Sequence, residues 1–355
     1  MSFTTTIDQA LAAPLAIAAE RPAVGYIGAD VPVELILAAG KQPIRLRGSK
    51  GLATPRADRF VEASFSLETR RIAEQWLAGE LDALEAVVFS RSDDSAQRLY
   101  YYICELQRIQ ACRGPKPLLF DVATLPRATS LAHTIDSTRR LAAELGTVAD
   151  RLPQAIEQAA CRRALLARLQ RERLEGRLLG SLAQRIVRAL ELRWDAALDE
   201  AALRWLDTLE ATSARRRLVL VGSEPLDEAL HVAVEAAGAT IVAEINEASD
   251  IEATPSASDD PFAKLAAYYS ERTRRARDRL RRADALGEHV QTLRADGAIL
   301  WLLSTDTGIA WAAPRIEQAL RTAGCAVLEL VPQDAEPRAA LLEQVAAFAR
   351  SLEVQ

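Results

Sequence analysis

Four places in this chain put short polar side chains just after an apolar run: VGYIGAD (24–30), AVVFSRSDD (86–94), LVLVGSE (218–224) and AILWLLSTDTG (298–308). If the runs are strands, the loops 28–30, 91–94, 222–224 and 304–308 sit at strand carboxyl ends, where open α/β sheets bind their ligands. Asp93, Asp94, Ser223, Thr305, Asp306 and Thr307 are the polar residues they offer. Two roles suit such side chains. As helix N-caps they accept hydrogen bonds from free backbone amides; as a convergent set they do acid–base work or bind a hard divalent cation. The first loop stands apart, with Gly28 and Ala29 at a tip where a reactive group is expected.

Other chemistry-bearing patterns are missing. No GxGxxG follows a strand, GSKG at 48–51 lacks the spacing and hydroxyl of a phosphate-binding loop, and neither GxSxG nor HExxH occurs. His133, His231 and His289 stand alone, and His231 falls inside a helical stretch as a packed or half-exposed residue rather than a ligand. Cys104, Cys112, Cys161 and Cys325 show neither CxxC spacing nor a histidine cluster, so they read as small hydrophobes rather than a zinc site or a disulfide framework.

The elements that must position the loops repeat one order: strand, turn, amphipathic helix, strand. The segments are 24–46, with Pro32 opening the helix and Gly40 ending it; 86–121, with a helix around 96–107; 216–245, with Pro225 opening and Gly238 closing; and 298–330, closed by Gly324. Strands alternating with helices imply mainly parallel sheets. Between the second and third segments, 137–217 is rich in Ala, Leu, Arg and Glu, with apolar residues at helical spacing, and carries the chain through several helices. The polar segment 246–260 reads as a surface loop. The fold class expected is α/β, with two doubly wound parallel-sheet domains: an N-terminal one over 1–148, and a helical connector with a C-terminal one over 149–355.

Composition is that of a soluble globular chain: 355 residues, 49% apolar and 26% charged. A net charge of −5 provides no field for nucleic acid or an anionic membrane. No run approaches the ~18–20 apolar residues of a membrane span, and the N-terminal segment reads as an amphipathic helix rather than a signal peptide. A cytoplasmic location is the expectation.

The stretch VPVELILAAGKQPIRLRG (31–48) resembles the "PEEL…AAG…P" signature of the 2-hydroxyacyl-CoA dehydratase and benzoyl-CoA reductase family, in the manner of its D-component. The likeness continues through 60–99, through RLVLVGSEPLDEALHVAVEAAGATIVAE (217–244), through DDPFAKLAAYY (259–269), whose pattern is "DP…LA..Y", and through 296–334. The resemblance implies two flavodoxin-like domains facing a cleft. It also implies a [4Fe-4S] cluster held by three cysteines, an acyl-CoA substrate, and paired subunits served by an ATP-hydrolysing activator.

By that resemblance the three ligand positions fall on Ser66 (or its neighbour Phe65), Asp93 and Asp306, loops expected to face one cleft, and none is cysteine. Cys104 is about eleven residues along the helix from Asp93, roughly 16 Å at helical rise, too far to substitute. Val33 replaces the first acid of "PEEL" and Glu34 keeps the second, either for chemistry or to support a helix start. Soft sulfur ligands are what such clusters need, so no cofactor is expected. The leading expectation is a cluster-less subunit or paralogue that pairs with a cysteine-bearing relative or with itself, Tyr100, Tyr101 and Tyr102 being a candidate contact. The alternatives are an enzyme with altered chemistry built on Glu34, Ser66, Asp93 and Asp306, with Mg²⁺ or Mn²⁺ as its ion, and a non-catalytic acyl-CoA binding protein.

Overall fold

The computed structural model describes residues 2–210, 215–247, 249, 258–334 and 336–352. Most of the expected 246–260 loop, residue 248 and residues 250–257, lies outside the described residues. The chain divides into two compact units: unit 1 is Met1–Ala164, Arg188–Glu200 and Ile251–Arg274, and unit 2 is Leu165–Val187, Ala201–Asp250 and Arg275–Gln355.

The elements run α1 (Phe3–Ala12), β1 (Ala23–Ile27), α2 (Val33–Ala38), β2 (Gln42–Arg45), α3 (Leu67–Leu77), β3 (Ala86–Ser90), α4 (Asp94–Arg108), β4 (Lys116–Phe120) and α5 (Ala128–Leu145). Three helices follow, α6 (Leu152–Leu174), α7 (Gly180–Leu192) and α8 (Ala196–Leu206). Then come β5 (Arg216–Gly222), α9 (Ala229–Ala236), β6 (Ala239–Ile245), α10 (Pro261–Arg281), α11 (Ala283–Leu293), β7 (Gly297–Trp301), α12 (Thr307–Thr322), β8 (Ala326–Glu329) and α13 (Ala339–Ser351). The unit boundaries at 164/165, 187/188, 200/201 and 274/275 fall inside α6, α7, α8 and α10.

Each unit holds a four-stranded, all-parallel sheet, ordered β2-β1-β3-β4 in one and β6-β5-β7-β8 in the other. That is the first four strands of the flavodoxin-like order. The central strands are buried on both faces and so read as unbroken apolar runs. Val24, Tyr26, Ala86 and Val88 face one core of unit 1, while Ile27, Val87 and Phe89 face the other. Unit 2 repeats the arrangement, with Val219, Val221, Ala298 and Leu300 on one side and Leu218, Leu220, Ile299 and Trp301 on the opposite side. Pro43 and Pro117 lie in β2 and β4, the two edge strands, where a missing N–H leaves no central ladder broken.

Two helix starts differ from the sequence expectation. Pro32 is the N-cap of α2, which begins at Val33. Pro225 does not open α9: the helix begins at Ala229, whose amide donates to Asp227 Oδ1 at 2.9 Å. The N-cap position is Glu228, which makes no side-chain cap hydrogen bond. Among the described residues, no helix is long and apolar enough to cross a membrane.

Candidate functional site

In each unit the chain reverses its direction of travel across the sheet between two central strands, β1 and β3 in unit 1 and β5 and β7 in unit 2. These switch points are where a doubly wound sheet opens a crevice. The loops flanking them are those singled out from sequence.

In unit 1, Asp93 is the N-cap of α4, its Oδ1 accepting the Ala96 amide at 2.9 Å. Asp94 is the first helical residue, exposed, with Arg98 at 3.7 Å. Ser66 caps α3, accepting the Thr69 amide at 3.2 Å and sharing a 2.8 Å hydrogen bond with the Thr69 hydroxyl. Phe65 is buried, with the Arg98 guanidinium 4.1 Å from its ring centre and Tyr102 edge-on at 5.3 Å. Arg98 also donates to Glu62 and Ser64, and Tyr102 donates to Glu62 at 2.8 Å. Thus α4 fastens the segment ahead of Ser66 to the helix that Asp93 begins. Of the tyrosine run, Tyr100 packs on Phe89 and Tyr102 on Phe65, while Tyr101 is exposed. Burial pushes the Tyr100 hydroxyl up to about 12.

The β1–α2 loop is held by one face of α10. Tyr269 donates to Glu34 Oε2 at 2.7 Å and Arg272 to the Ala29 carbonyl at 2.6 Å, while the Thr273 hydroxyl, whose proton has the nearer Tyr269 carbonyl at 2.8 Å, stands 3.4 Å from Asp30 Oδ2. Positions i, i+3 and i+4 share a helix face, so a single helix surface makes all three contacts. Pro261 begins α10, and Asp260 Oδ1 accepts the Phe262 amide at 3.0 Å. The segment DDPFAKLAAYY therefore builds the helix start and delivers Tyr269 to the glutamate of VPVEL.

Glu34 is completely buried, with Arg163 donating to its Oε1 at 2.8 Å and Tyr269 to its Oε2. Burial alone would lower the Arg163 guanidinium, but the Glu34 carboxylate together with Tyr268 and Tyr269 holds the group above its ordinary value. Burial and then the Glu34 charge push the Tyr269 hydroxyl well up. Both Glu34 oxygens are thus engaged in ties that join α2, α6 and α10.

Asp30 is the residue that sequence reasoning did not single out. It is only 2% exposed, and its Oδ1 has no hydrogen-bond partner among the described residues. Gly28, at φ +99°, brings the backbone close to β3: a Cβ there would stand 2.5 Å from Ser90 Cβ, 3.3 Å from Ser90 Oγ and 3.4 Å from Asp30 Oδ1. Only glycine allows that approach. Farther along the same edge, Asp121 accepts from Arg91, and His133 Nε2 stands 2.9 Å from the same carboxylate oxygen.

In unit 2, Asp306 caps α12, Oδ1 accepting the Ile309 amide at 3.3 Å. Its Oδ2 accepts from the Ser223 hydroxyl at 3.1 Å, and Ser223 Oγ accepts the Leu303 amide at 3.1 Å. The two switch-point loops of this unit are therefore tied directly to each other. Gly222, at φ +123°, allows the closest approach of all, since a Cβ would stand 2.1 Å from the Trp301 carbonyl oxygen. His231 is fully buried, between Arg173 at 3.2 Å and Glu244 at 3.0 Å. Arg173 donates to the Ile241 carbonyl and Gln170 to that of Val242, so side chains from α6 cover the outer edge of β6.

The thiols lie away from these loops in the chain. Cys104 is within α4, Cys112 follows it, Cys161 is exposed on α6, and Cys325 donates towards the Ala295 carbonyl at 3.4 Å. Burial pushes the Cys104, Cys112 and Cys325 thiols up, which favours the protonated form over the thiolate that binds metal. Among the described residues, no three of His, Cys, Asp and Glu come together as a metal-binding group.

A family model described as 2-hydroxyglutaryl-CoA dehydratase, D-component, matches residues 29–352. The match includes Asp30, Glu34, Ser66, Asp93, Ser223 and Asp306. No curated protein matches the chain.

Proposed function

The chain belongs to the 2-hydroxyglutaryl-CoA dehydratase D-component family, and on that premise we propose that it is a subunit of the family that works without an iron–sulfur cluster, paired with a related cysteine-bearing subunit in acyl-CoA metabolism. The observation that carries this reading is the use made of the three positions at which the resemblance places thiolates. Ser66, Asp93 and Asp306 each turn a side-chain oxygen onto the first free amides of α3, α4 and α12. Oxygen donors already accepting backbone hydrogen bonds do not fit a cluster that requires soft sulfur ligands. The fold around them needs capping groups there, and Ser and Asp cap well.

Pairing is supported by surface apolar groups. Trp311 is 86% exposed on α12, and Val331, just past β8, is 75% exposed. Tryptophans of this kind are enriched among the residues that dominate protein interfaces. The altered-enzyme reading is the weaker one, because Asp306 has both oxygens engaged and Glu34 is sealed by Arg163 and Tyr269.

The test is iron and acid-labile sulfide in protein purified without oxygen. The wild type is expected to hold neither. Stoichiometric iron and sulfide in the wild type, with the broad visible absorption of a cubane, would falsify the proposal.

A further inference from the structure

We propose that two copies of this chain pair through the outer edge of β8, the two strands antiparallel about a two-fold axis at Leu328. In that pairing the Val327 and Glu329 backbone groups of each copy bond to those of the other. An edge strand offers unpaired N–H and C=O groups to any further strand, and proteins blunt their edges against it. Among the described residues, three of the four sheet edges carry such a device. Pro43 gives β2 a residue without an N–H, and Gln42 Nε2 donates to the Pro43 carbonyl at 3.0 Å. β4 carries Pro117, and just past it the Ser137 and Thr134 hydroxyls accept the Asp121 and Ala123 amides, each at 3.0 Å. Along β6, Arg173 and Gln170 donate to the Ile241 and Val242 carbonyls at 2.7 and 2.9 Å.

The edge of β8 differs. The Ala326 and Leu330 amides donate to the Asp296 and Leu300 carbonyls at 3.4 and 3.3 Å, on the side of β7. Successive residues of a strand turn their backbone groups to opposite edges. Val327 and Glu329 therefore direct theirs outwards, and among the described residues none of those four groups has a partner. A second copy suits this edge because a two-fold contact must be self-complementary. Centred on Leu328, the antiparallel pair sets Val327 of one copy opposite Glu329 of the other, so every outward N–H and C=O is matched. Neither Glu329 faces its own like charge, which would oppose pairing. The two Leu328 side chains meet on the sheet face where Leu328 already packs against the core that includes Leu330 and Leu341. Val331, 75% exposed, then lies beside the start of the other copy's β8.

Sedimentation equilibrium of the full chain at micromolar concentration is expected to show a dimer. Val327→Pro removes an outward amide and no bond to β7. By symmetry it deletes two hydrogen bonds between the copies, and it is expected to weaken the dimer about 10- to 100-fold. Amide hydrogen exchange tests the same edge without a variant, so it decides even if Val327→Pro does not fold. The Val327 and Glu329 amides are expected to exchange slowly in concentrated wild type and rapidly on dilution to monomer. A wild type that stays monomeric overturns the proposal. So does a dimer whose Val327 and Glu329 amides exchange freely, or a folded Val327→Pro that dimerises as tightly as the wild type. Iron and sulfide content, which decides the cluster-less reading, is independent of this edge, so the two fail separately.

Discussion

The switch points of the two units are built from the same parts and finished differently. In unit 2 the loop after β5 gives its Ser223 hydroxyl to Asp306 in the loop after β7, and Asp306 spends its other oxygen on the Ile309 amide. In unit 1 the loop after β1 reaches sideways instead, to Arg272 and Thr273 on α10, and among the described residues Asp30 Oδ1 is buried without a partner. Each crevice has a glycine that lets the backbone approach the neighbouring strand, Gly28 against a side chain and Gly222 against a carbonyl. The comparison teaches that a shared topology fixes where a ligand site lies, while the hydrogen-bond inventory decides whether one is still asked for.

The largest effect is expected at the clamp that holds the unit 1 loop. Glu34→Ala leaves Arg163 and the Tyr269 hydroxyl facing a buried gap. Breaking one side of such a pair costs about 3–5 kcal/mol. Urea unfolding should register that loss. A change below about 1 kcal/mol, the range of exposed pairs, would mean the clamp is not what shapes the loop.

The glycines offer a sharper contrast. Gly222→Ala sets a Cβ 2.1 Å from the Trp301 carbonyl oxygen, which belongs to a central strand and cannot withdraw. The expected cost is about 3 kcal/mol, at the upper end for local strain. Gly28→Ala meets the Ser90 side chain at 2.5 Å; it should cost about 1–3 kcal/mol, and part of that should return in the double variant with Ser90→Gly. If Gly28→Ala proves the more damaging of the two, the assignment of rigid and yielding contacts is reversed.

Alkaline titration separates the units in another way. All 6 tyrosines (26, 100, 101, 102, 268 and 269) belong to unit 1. Burial raises Tyr26 and Tyr269 far above the ordinary tyrosine value, with Glu191 and Glu34 respectively adding to the effect. A raised pKa in the folded state means that the unfolded chain loses these protons first. The stabilisation is therefore full below pH about 10 and is lost as pH rises beyond it, at roughly 1.4 kcal/mol per pH unit for each tyrosine. The urea midpoint should fall accordingly, and Tyr26→Phe should reduce the slope. A midpoint that stays flat well above pH 10 would contradict the burial of these hydroxyls.

Much of this arrangement was legible in the sequence, for local reasons. Strand runs buried on both faces announce themselves as unbroken apolar stretches, and Ser66, Asp93 and Asp306 cap helices as short acceptor side chains do. The start of α9 was missed because the helix begins four residues past Pro225, after Glu228, with the Asp227 carboxylate holding the Ala229 amide. The character of the unit 1 site was not legible at all. Asp30 stands in a loop the strand-end rule marks, but its surroundings come from α10, where Thr273 contacts Asp30 and Arg272 holds Ala29, each across 243 positions of the chain. The Glu34–Tyr269 bond likewise joins segments 235 positions apart. Two signature segments of the family resemblance, VPVEL and DDPFAKLAAYY, thus prove to be the two halves of a single contact.

The smallest effect bears most directly on the comparison, and it comes from making the same change in both units. Asp306→Asn removes one of two acceptors that are both in use. The remaining carbonyl can serve the Ile309 amide or the Ser223 hydroxyl but not both, so a loss of about 1 kcal/mol is expected, as for a weakened cap. Asp30→Asn removes little, because among the described residues its side chain has only the long 3.4 Å contact with Thr273, whose proton has the nearer Tyr269 carbonyl at 2.8 Å. The expected change is within about 0.5 kcal/mol of zero, as for substitutions that touch no structural feature. Urea midpoints of the two single variants, measured without added ligand, decide the matter. A cost at Asp30 equal to that at Asp306 would show that Oδ1 already has its donor in the folded chain, and the contrast between an open and a closed switch point would disappear.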